Sequence, residues 1–321
     1  MATQTTGNTI GEISDFLKTL DRVAITTHVG ADGDAIGASA ALLHLMRQLG
    51  AEAVFCHAEE VPNYLQWLLH DGALPELPDG HDLLVVDTSR ADRTGVPIPE
   101  AGARLNLDHH EDNPLYAEYN IVKARAAASA EIVADLYTEL NVPLDKPAAE
   151  AIYTGVRTDT GGFRFRNISP EVHELVAELL RVGVVPAEVD DRLNRTGTIE
   201  QLNIVGVTLA NAVRYGEAII ATVDNGDYER TGATELDSKE SIDQLRTVAG
   251  VDVVAHLREV PKGTKGSLRS ETVDVGEIAR RFGGGGHRLA AGYTRPGMRP
   301  DEAREELLDN LKGVVDLGGE R

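Results

Sequence analysis

Short apolar runs in the first half of the chain each end in aspartate or histidine, and this recurrence constrains the fold more than any other feature. Helical patterns alternate with the runs, which is typical of a parallel sheet in an α/β protein. Because the carboxyl ends of parallel strands meet at one edge of a sheet, we expect the polar residues to converge there. The three predicted strands and the segments that follow them are 22–27 before His28–Asp34, 83–86 before Asp87–Ser89, and 104–107 before Asp108–Asn113.

The chain as a whole divides into two α/β regions joined by a polar helical segment. We predict a doubly wound parallel sheet in residues 1–190, a helical linker in 191–213 and a smaller α/β domain in 214–321. The other predicted elements of the first region are strand 53–56 and helices 35–49, 127–140, 146–156 and 170–182. Those of the second region are strands 218–223, 251–260 and 264–270, and helices 275–282 and 300–311.

Composition argues against several classes of protein. Hydrophobic residues make up 42% of the chain, which is normal for a globular core. Neither a run of about 18 apolar residues nor a signal peptide is evident, so we expect a cytoplasmic protein that does not bind membranes. Cys56 is the single cysteine, which leaves no intrachain disulfide and no cysteine metal site. The net charge of −21 argues against a surface for long duplex nucleic acid, although bound cations could attract a short anionic substrate.

The converging carboxylates predict a metal centre, to which Asp159 in the segment Thr158–Phe163 could add one more ligand. Carboxylates without cationic partners would repel one another and raise one another's pKa values. Two divalent cations would relieve this repulsion, and Asp and His ligands without thiolate favour manganese over magnesium or zinc. Two ions about 3.5–4 Å apart activate water and stabilise an attacked phosphoryl group. Each motif alone has a structural alternative, since Asp32–Asp34 could form a turn and Asp108 could be a helix N-cap.

A second motif is the glycine-rich segment Gly283–Gly286, followed by His287. Glycines leave backbone N–H groups accessible, and a helix predicted to follow would add its positive N-terminus, so we expect a cradle for phosphate or carboxylate. The segment is neither a Walker A loop nor a dinucleotide-binding fingerprint. A flexible linker is the structural alternative. Arg269 is a candidate second phosphate clamp, and an ordinary exposed strand arginine is the alternative there.

These motifs together resemble the DHH/DHHA1 phosphoesterase family, named for the triplet Asp108-His109-His110. The resemblance spans nearly the whole chain and includes four ordered acidic motifs and the GGGGH segment. It implies an N-terminal DHH catalytic domain in 1–190, a helical linker in 191–213 and a C-terminal DHHA1 substrate-binding domain in 214–321. Within the family the chain looks most like the nanoRNase and pAp-phosphatase type, which degrades very short oligonucleotides and removes the 3′ phosphate of adenosine 3′,5′-bisphosphate.

The resemblance also implies a role for each site residue. Asp87 would bridge two divalent cations, manganese or alternatively magnesium. Asp108 would orient a ligand histidine and His110 would face the scissile phosphate, which makes Asp87, Asp108 and His110 the candidate catalytic residues. The implied ligands are His28, Asp32 and Asp87 for one ion, and Asp34, Asp87, His109 and Asp159 for the other.

In the C-terminal domain, the resemblance implies a grip on the far phosphate of the substrate. Because ligand sites prefer domain interfaces, we expect the active site in a cleft between the two domains. Two departures from the family pattern are Ala31 and Ala38, where members often carry Pro and Ser, and neither position supplies a ligand. The residues implied in substrate binding are His110, Arg269, Gly284, Gly285, Gly286 and His287.

The expected function is hydrolysis of short oligoribonucleotides, with pAp 3′-phosphatase activity as an accompanying reaction. One alternative is a phosphodiesterase for cyclic or linear dinucleotides, which the sequence does not distinguish from the first. Another is a nucleotide-binding scaffold without catalysis, although a scaffold has no need of so complete a ligand set. The expected partner is a short oligonucleotide or nucleotide, and a homodimer is left open.

Overall fold

The computed structural model describes residues 6–195, 197–239 and 241–318, and the chain divides into two compact units, Met1–Thr196 and Gly197–Arg321. Each unit contains a six-stranded sheet. The predicted fold class is confirmed: a parallel sheet with helices forms the first unit, and a smaller α/β unit follows. Among the described residues, no helix has the length and apolar character needed to cross a membrane.

The sheet of the first unit has the strand order β1-β6-β5-β4-β2-β3, in which β1 is antiparallel to β6 and the other neighbours are parallel. Its strands are β1 Thr6–Gly7, β2 Arg22–Thr26, β3 Glu52–Phe55, β4 Asp82–Val86, β5 Leu105–Asp108 and β6 Tyr119–Val122. Its helices are α1 Ile10–Leu17, α2 Gly33–Gln48, α3 Ser129–Leu140, α4 Lys146–Asp159, α5 Pro170–Val182 and α6 Pro186–Asn194. β1, α1 and β6 were not predicted from the sequence.

Both faces of this sheet are buried, which explains why its strands are continuous apolar runs. Ile25 and Leu84 pack on the face that the helices cover. Ala24 and Val85 point to the opposite face, where Val96 and other loop residues cover them. This sheet differs from the usual doubly wound arrangement, because loops rather than α-helices pack on its second face.

Helices α2 and α4 approach each other closely because glycines lie at their contact. A Cβ atom on Gly37 would lie 2.5 Å from the carbonyl oxygen of Ala151, and one on Gly155 would lie 2.6 Å from Oδ1 of Asp34. Side chains at these positions would force the helices apart. The contact brings the C-terminal end of α4, where Asp159 lies, towards the N-terminal end of α2.

The sheet of the second unit has the order β11-β12-β10-β9-β8-β7, with β8 and β9 parallel and all other neighbours antiparallel. Its strands are β7 Val213–Tyr215, β8 Ala218–Val223, β9 Val253–Val260, β10 Gly263–Ser270, β11 Gly285–His287 and β12 Ala290–Pro296. Its helices are α7 Ile199–Ala210, α8 Asn225–Thr231, α9 Ser241–Leu245, α10 Val275–Arg281 and α11 Pro300–Leu311.

Two helices take the place of the predicted linker 191–213. α6 belongs to the first unit, whereas α7 belongs to the second, where Ile204 and Thr208 are fully buried. Burial of these side chains ties α7 to the core of its own unit. The predicted linker is therefore divided between the two units.

The glycine-rich segment also differs from the prediction. The amides of Gly283 and Gly284 donate to the carbonyls of Arg280 and Ala279 at 3.0 and 2.9 Å, and so they end α10. β11 begins at Gly285 and pairs with β12. The predicted helix after the glycines is wrong, and the helix end that lies here is a C-terminus, whose dipole does not favour an anion.

Candidate functional site

The predicted metal ligands converge at the carboxyl edge of the first sheet. They follow β2, β4 and β5 and lie at the N-terminal end of α2 and the C-terminal end of α4. α4 continues to Asp159, three residues beyond the predicted helix end. In three groups, the candidate ligand atoms lie within 4.8 Å of one another: His28 with Asp32 and Asp87, Asp34 with His109 and Asp159, and Asp87 with His109 and His110.

Hydrogen bonds determine the tautomers of two histidines. Nδ1 of His28 lies 3.0 Å from the carbonyl oxygen of Val29, and Nδ1 of His109 lies 3.2 Å from that of Ala126. A carbonyl oxygen only accepts, so Nδ1 carries a proton in each ring, and the neutral form of each imidazole keeps its lone pair on Nε2. Both Nε2 atoms face the carboxylate of Asp87, which is the arrangement expected of metal-binding imidazoles.

Asp87 lies between these two rings. Its Oδ2 is 3.6 Å from Nε2 of His28, and its Oδ1 is 3.6 Å from Nε2 of His109. Ser129, which sequence reasoning did not identify, donates its hydroxyl to Oδ1 at 2.9 Å. Burial opposes the charge, but the contacts with His28 and the neighbouring histidines hold the pKa of Asp87 below its ordinary value. Asp87 therefore presents one ionised oxygen to each half of the site.

Asp34 and Asp159 form the inner side of the site. Asp34 is almost fully buried and accepts hydrogen bonds from the amides of Ser129 and Ala130 at 2.6 and 3.0 Å, where α3 begins. Burial and the nearby carboxylates of Asp87 and Asp159 nevertheless raise its pKa well above the ordinary value. Burial is also the main cause that raises the pKa of Asp159 to about 6.

This donor set fits divalent cations. Only histidines lie within ion-pair distance of the four carboxylates among the residues that the structure describes. The raised pKa values of Asp34 and Asp159 show that this cluster of carboxyl groups lacks positive charge, and oxygen with nitrogen ligands suits manganese, magnesium or zinc. The four carboxylates belong to Asp32, Asp34, Asp87 and Asp159.

His110 differs from the other two histidines. Its Nδ1 lies 2.7 Å from Oδ1 of Asp108, and this hydrogen bond raises the pKa of His110 to about 9. Asp108 is fully buried and also accepts from Nδ2 of Asn113 at 2.5 Å. His110 is thus a cation at neutral pH, held by Asp108, and it is better suited to bind an anion than to ligate a metal.

Two further residues, neither of them predicted, support the loop that carries His28. The buried ring of His57 lies with Nε2 3.0 Å from the carbonyl oxygen of His28, and Glu59 accepts from the amide of Gly30 at 2.6 Å. Both follow β3, whose sequence predicts a strand but not this contact. His57 and Glu59 therefore fix the backbone from which His28 projects.

A cavity of about 170 Å³ opens onto these groups. Besides three of the candidate ligands, His28, Asp32 and Asp87, and His110, three residues of the loop after β4 line it. These are Thr88, Ser89 and Arg93. The hydroxyl of Thr88 donates to the carbonyl oxygen of Val86, so it is already engaged.

In the second unit, Arg269 and His287 share one row of the sheet. Arg269 of β10 and His287 of β11 both pair with Ala290 of β12. Directly opposite residues point to the same face, so these two side chains flank a small alanine at about twice the strand spacing, roughly 10 Å. His287 is exposed and Arg269 is half-buried.

The three predicted glycines differ in their surroundings. A Cβ on Gly284 would lie 2.2 Å from the carbonyl oxygen of Gly292, and one on Gly286 would lie 2.6 Å from Cα of Ala291. Close approach of β12 therefore requires glycine at both positions. Gly285 has open space at its Cβ position, so packing does not require glycine there.

Known proteins resemble this chain over nearly its whole length. The DHH family N-terminal domain matches residues 22–156, and the DHHA1 domain matches residues 216–316. The Thermus thermophilus protein named bifunctional oligoribonuclease and PAP phosphatase NrnA is 35% identical, over 96% of this chain and 94% of that protein. The Bacillus subtilis protein of the same name is 26% identical, over 93% and 96%. An exopolyphosphatase-related protein from Bacteroides fragilis shares the fold, with a TM-score of 0.83 and 24% identity over 95% of this chain and 96% of that one.

Proposed function

This chain belongs to the DHH/DHHA1 phosphoesterase family, and from that membership we propose that it hydrolyses short oligoribonucleotides and removes the 3′ phosphate of adenosine 3′,5′-bisphosphate. The names of the Thermus thermophilus and Bacillus subtilis relatives support both activities. The first unit would perform hydrolysis, and the second would hold a part of the substrate that does not react.

The observation that carries the proposal is the position of Asp87. Its two oxygens each lie 3.6 Å from the free Nε2 of a different histidine, which is the geometry a bridging carboxylate needs. The proposed ligands are His28, Asp32 and Asp87 for one cation, and Asp34, Asp87, His109 and Asp159 for the other. Two divalent cations would generate a nucleophile from water and neutralise charge on the attacked phosphoryl group.

The chain's own groups complete this chemistry. His110, protonated at neutral pH, can donate from Nε2 to a non-bridging phosphate oxygen, and Asp108 holds its ring in place. Buried Asp34 is held by two backbone amides, so its carboxylate is positioned before any substrate arrives. We propose manganese as the physiological ion because the ligands mix imidazole with carboxylate and lack thiolate, with magnesium as the alternative.

Residues of the second unit support a role in recognition. Arg269 and His287 lie in one row on one face of the sheet and could bind a phosphate from two sides. Location in the cytoplasm stays a prediction, and a homodimer stays open.

One assay tests the proposal. The metal-free protein would be given manganese, magnesium or zinc and presented with labelled oligoribonucleotides of graded length, adenosine 3′,5′-bisphosphate and cyclic dinucleotides. We expect hydrolysis of the shortest oligomers and of the bisphosphate, best with manganese, and none in excess chelator. Preference for a cyclic dinucleotide would identify the alternative phosphodiesterase, and full activity in chelator would contradict the metal centre.

A further inference from the structure

Arg93 is a charged residue at the site, and neither metal binding nor the role of His110 involves it. It ends a short 3₁₀ turn, Ala91–Arg93, in the loop after β4. Arg93 lines the same cavity of about 170 Å³ as His28, Asp87 and His110. It therefore lies beside the proposed metal ligands and the histidine proposed to face the phosphate.

The backbone of Arg93 is joined to the loop that carries His28. The carbonyl oxygen of Arg93 accepts a hydrogen bond from the amide of Val29 at 2.7 Å. The amide of Gly95, two residues further along, donates to the carbonyl oxygen of Thr27 at 2.6 Å. These bonds do not involve the Arg93 side chain. The guanidinium thus starts from a fixed point beside the site, and its removal leaves the backbone bonds in place.

The guanidinium of Arg93 forms neither a hydrogen bond nor an ion pair with any residue that the structure describes. Its neighbour Arg90 behaves differently, because two of its nitrogens lie 2.9 and 2.8 Å from the oxygens of Asp92. In a chain with 52 acidic and 31 basic residues, an arginine that stays unpaired at an anionic site is available to a ligand. Arginine's planar fork matches two phosphate oxygens at once.

We propose that Arg93 binds the non-bridging oxygens of the phosphate group that this site hydrolyses. The inference rests on the proposed function, and it adds a substrate-binding residue within the first unit itself. A terminal phosphomonoester carries close to two negative charges at neutral pH, whereas a diester carries one. Arg93 should therefore contribute more to removal of a 3′ phosphate than to cleavage of a dinucleotide.

The test compares Arg93→Ala, Arg93→Lys and the matched control Arg90→Ala, which removes the same charge from the same loop away from the cavity. We expect Arg93→Ala to lower kcat/KM for adenosine 3′,5′-bisphosphate by about tenfold to a hundredfold, with a smaller loss for a dinucleotide. Arg93→Lys should lower each kcat/KM less than Arg93→Ala does, because lysine keeps the positive charge but lacks the planar guanidinium that binds two oxygens. Arg90→Ala should stay within about twofold of wild type.

Direct binding separates this proposal from the proposed function. Inorganic phosphate would be titrated into the manganese-loaded protein by calorimetry, with metal content and thermal unfolding recorded for each variant. An Arg93-dependent loss of phosphate binding at unchanged metal content supports the proposal, even if wild type hydrolyses neither substrate. Equal effects of Arg93→Ala and Arg90→Ala, an unchanged phosphate affinity in Arg93→Ala, or loss of metal from that variant would each overturn it.

Discussion

Asp87 adopts a backbone conformation that aspartate seldom takes. Its φ is 51°, in the left-handed region, and such a residue carries about 1–3 kcal/mol of strain. Two hydrogen bonds hold this conformation: the amide of Asp87 donates to the carbonyl oxygen of Leu107 at 2.8 Å, and the hydroxyl of Ser129 donates to the Asp87 carboxylate. This backbone conformation directs the carboxylate towards His28 and His109 immediately after β4 ends.

We expect Asp87→Asn to abolish turnover while the fold survives. An amide removes the negative charge that a bridge between two cations requires, so kcat should fall by a factor on the order of 10³ or more. Asp82→Asn, at the other end of β4, is the matched control and should retain activity. Steady-state kinetics with circular dichroism measure both, and an Asp87→Asn enzyme with more than about a tenth of wild-type kcat would contradict the bridging role.

Uptake of metal should depend on pH through Asp159. Burial raises its pKa to about 6, with the carboxylates of Asp87 and Asp32 adding to the effect and His109 opposing it. A carboxyl group with a raised pKa binds an extra proton in the folded state, so the metal-free protein should lose stability as pH rises through about 6. A cation must displace that proton, and so its affinity should fall as pH drops below about 6.

Calorimetric titration of manganese at about pH 5 and about pH 7.5 measures this effect. Buffers with different heats of ionisation report the protons released, and thermal unfolding without metal reports the stability. Affinity and metal-free stability that both stay constant over this range would show that Asp159 is already ionised in the metal-free protein.

At the level of single residues, the sequence predicts the ligands better than their supports. His28 and Asp87 come directly after predicted apolar strands, so local pattern alone indicates their edge of the sheet. Ser129 and Glu59 reach the site only because α3 and the loop after β3 pack there. No local pattern distinguishes them from an ordinary helix serine or surface glutamate.

At the level of elements, the helices α2 and α4 are predictable from the sequence, whereas the contact between them is not. The sequence predicts both helices, but it does not show that Gly37 and Gly155 lie at their contact. This contact determines how near Asp159 comes to Asp34, because a larger residue would separate the helix axes. The distance between the two carboxylates therefore depends on a tertiary contact.

Gly37→Ala should destabilise the first unit. The added Cβ would lie 2.5 Å from the carbonyl oxygen of Ala151 and 2.9 Å from the amide nitrogen of Gly155, and backbone atoms within a helix cannot easily move. We expect a loss of about 1–3 kcal/mol in the free energy of unfolding. Gly206→Ala is the matched control in α7, where the Cβ position has no neighbour within 4 Å.

Gly206→Ala should leave stability unchanged or raise it by about 0.4–1 kcal/mol, because alanine restricts the unfolded chain and favours a helix. Urea unfolding measures both variants. A Gly37→Ala protein as stable as wild type would mean that α2 and α4 can separate at no cost, and that the glycine contact does not position the ligands.

The glycine-rich segment shows why element prediction fails there. Arg288-Leu289-Ala290-Ala291 consists of residues that form helices well, so local propensity does not exclude the predicted helix after the glycines. In the structure Ala290 and Ala291 instead pair with β10 and β11 at once. Pairing on both sides of β12 outweighs the weak local preference, and only knowledge of the neighbouring strands could have indicated this.

At the level of the whole molecule, the charge of −21 bears on how a phosphate ester is bound. If the proposed cations bind, the first unit would present positive charge at the metal site and at His110, and the second would present Arg269. An anionic substrate would then be attracted at these places despite the acidic surface elsewhere. This distribution favours short substrates whose charge can be neutralised at a few points, and long nucleic acid would meet an acidic surface.

If the second unit holds the part of the substrate that does not react, its variants should discriminate between substrates. Arg269→Ala and His287→Ala should each lower kcat/KM for dinucleotides and for adenosine 3′,5′-bisphosphate by about tenfold to a hundredfold, as one charge-assisted phosphate contact is lost. Manganese content should not change, because neither residue belongs to the first unit. Arg304→Ala, a partly buried arginine on α11 that pairs with Asp301, is the charge-matched control.

The decisive comparison uses bis-p-nitrophenyl phosphate, an ester that carries no second phosphate for Arg269 and His287 to bind. Its hydrolysis should remain nearly intact in both variants, because it needs only the groups of the first unit. Loss on the natural substrates alone would assign the row in β10–β12 to recognition, since it separates binding from the chemical step. Equal losses on the small ester and on the dinucleotide would instead mean that the second unit acts on folding or on catalysis, and the division of roles between the units would have to be abandoned.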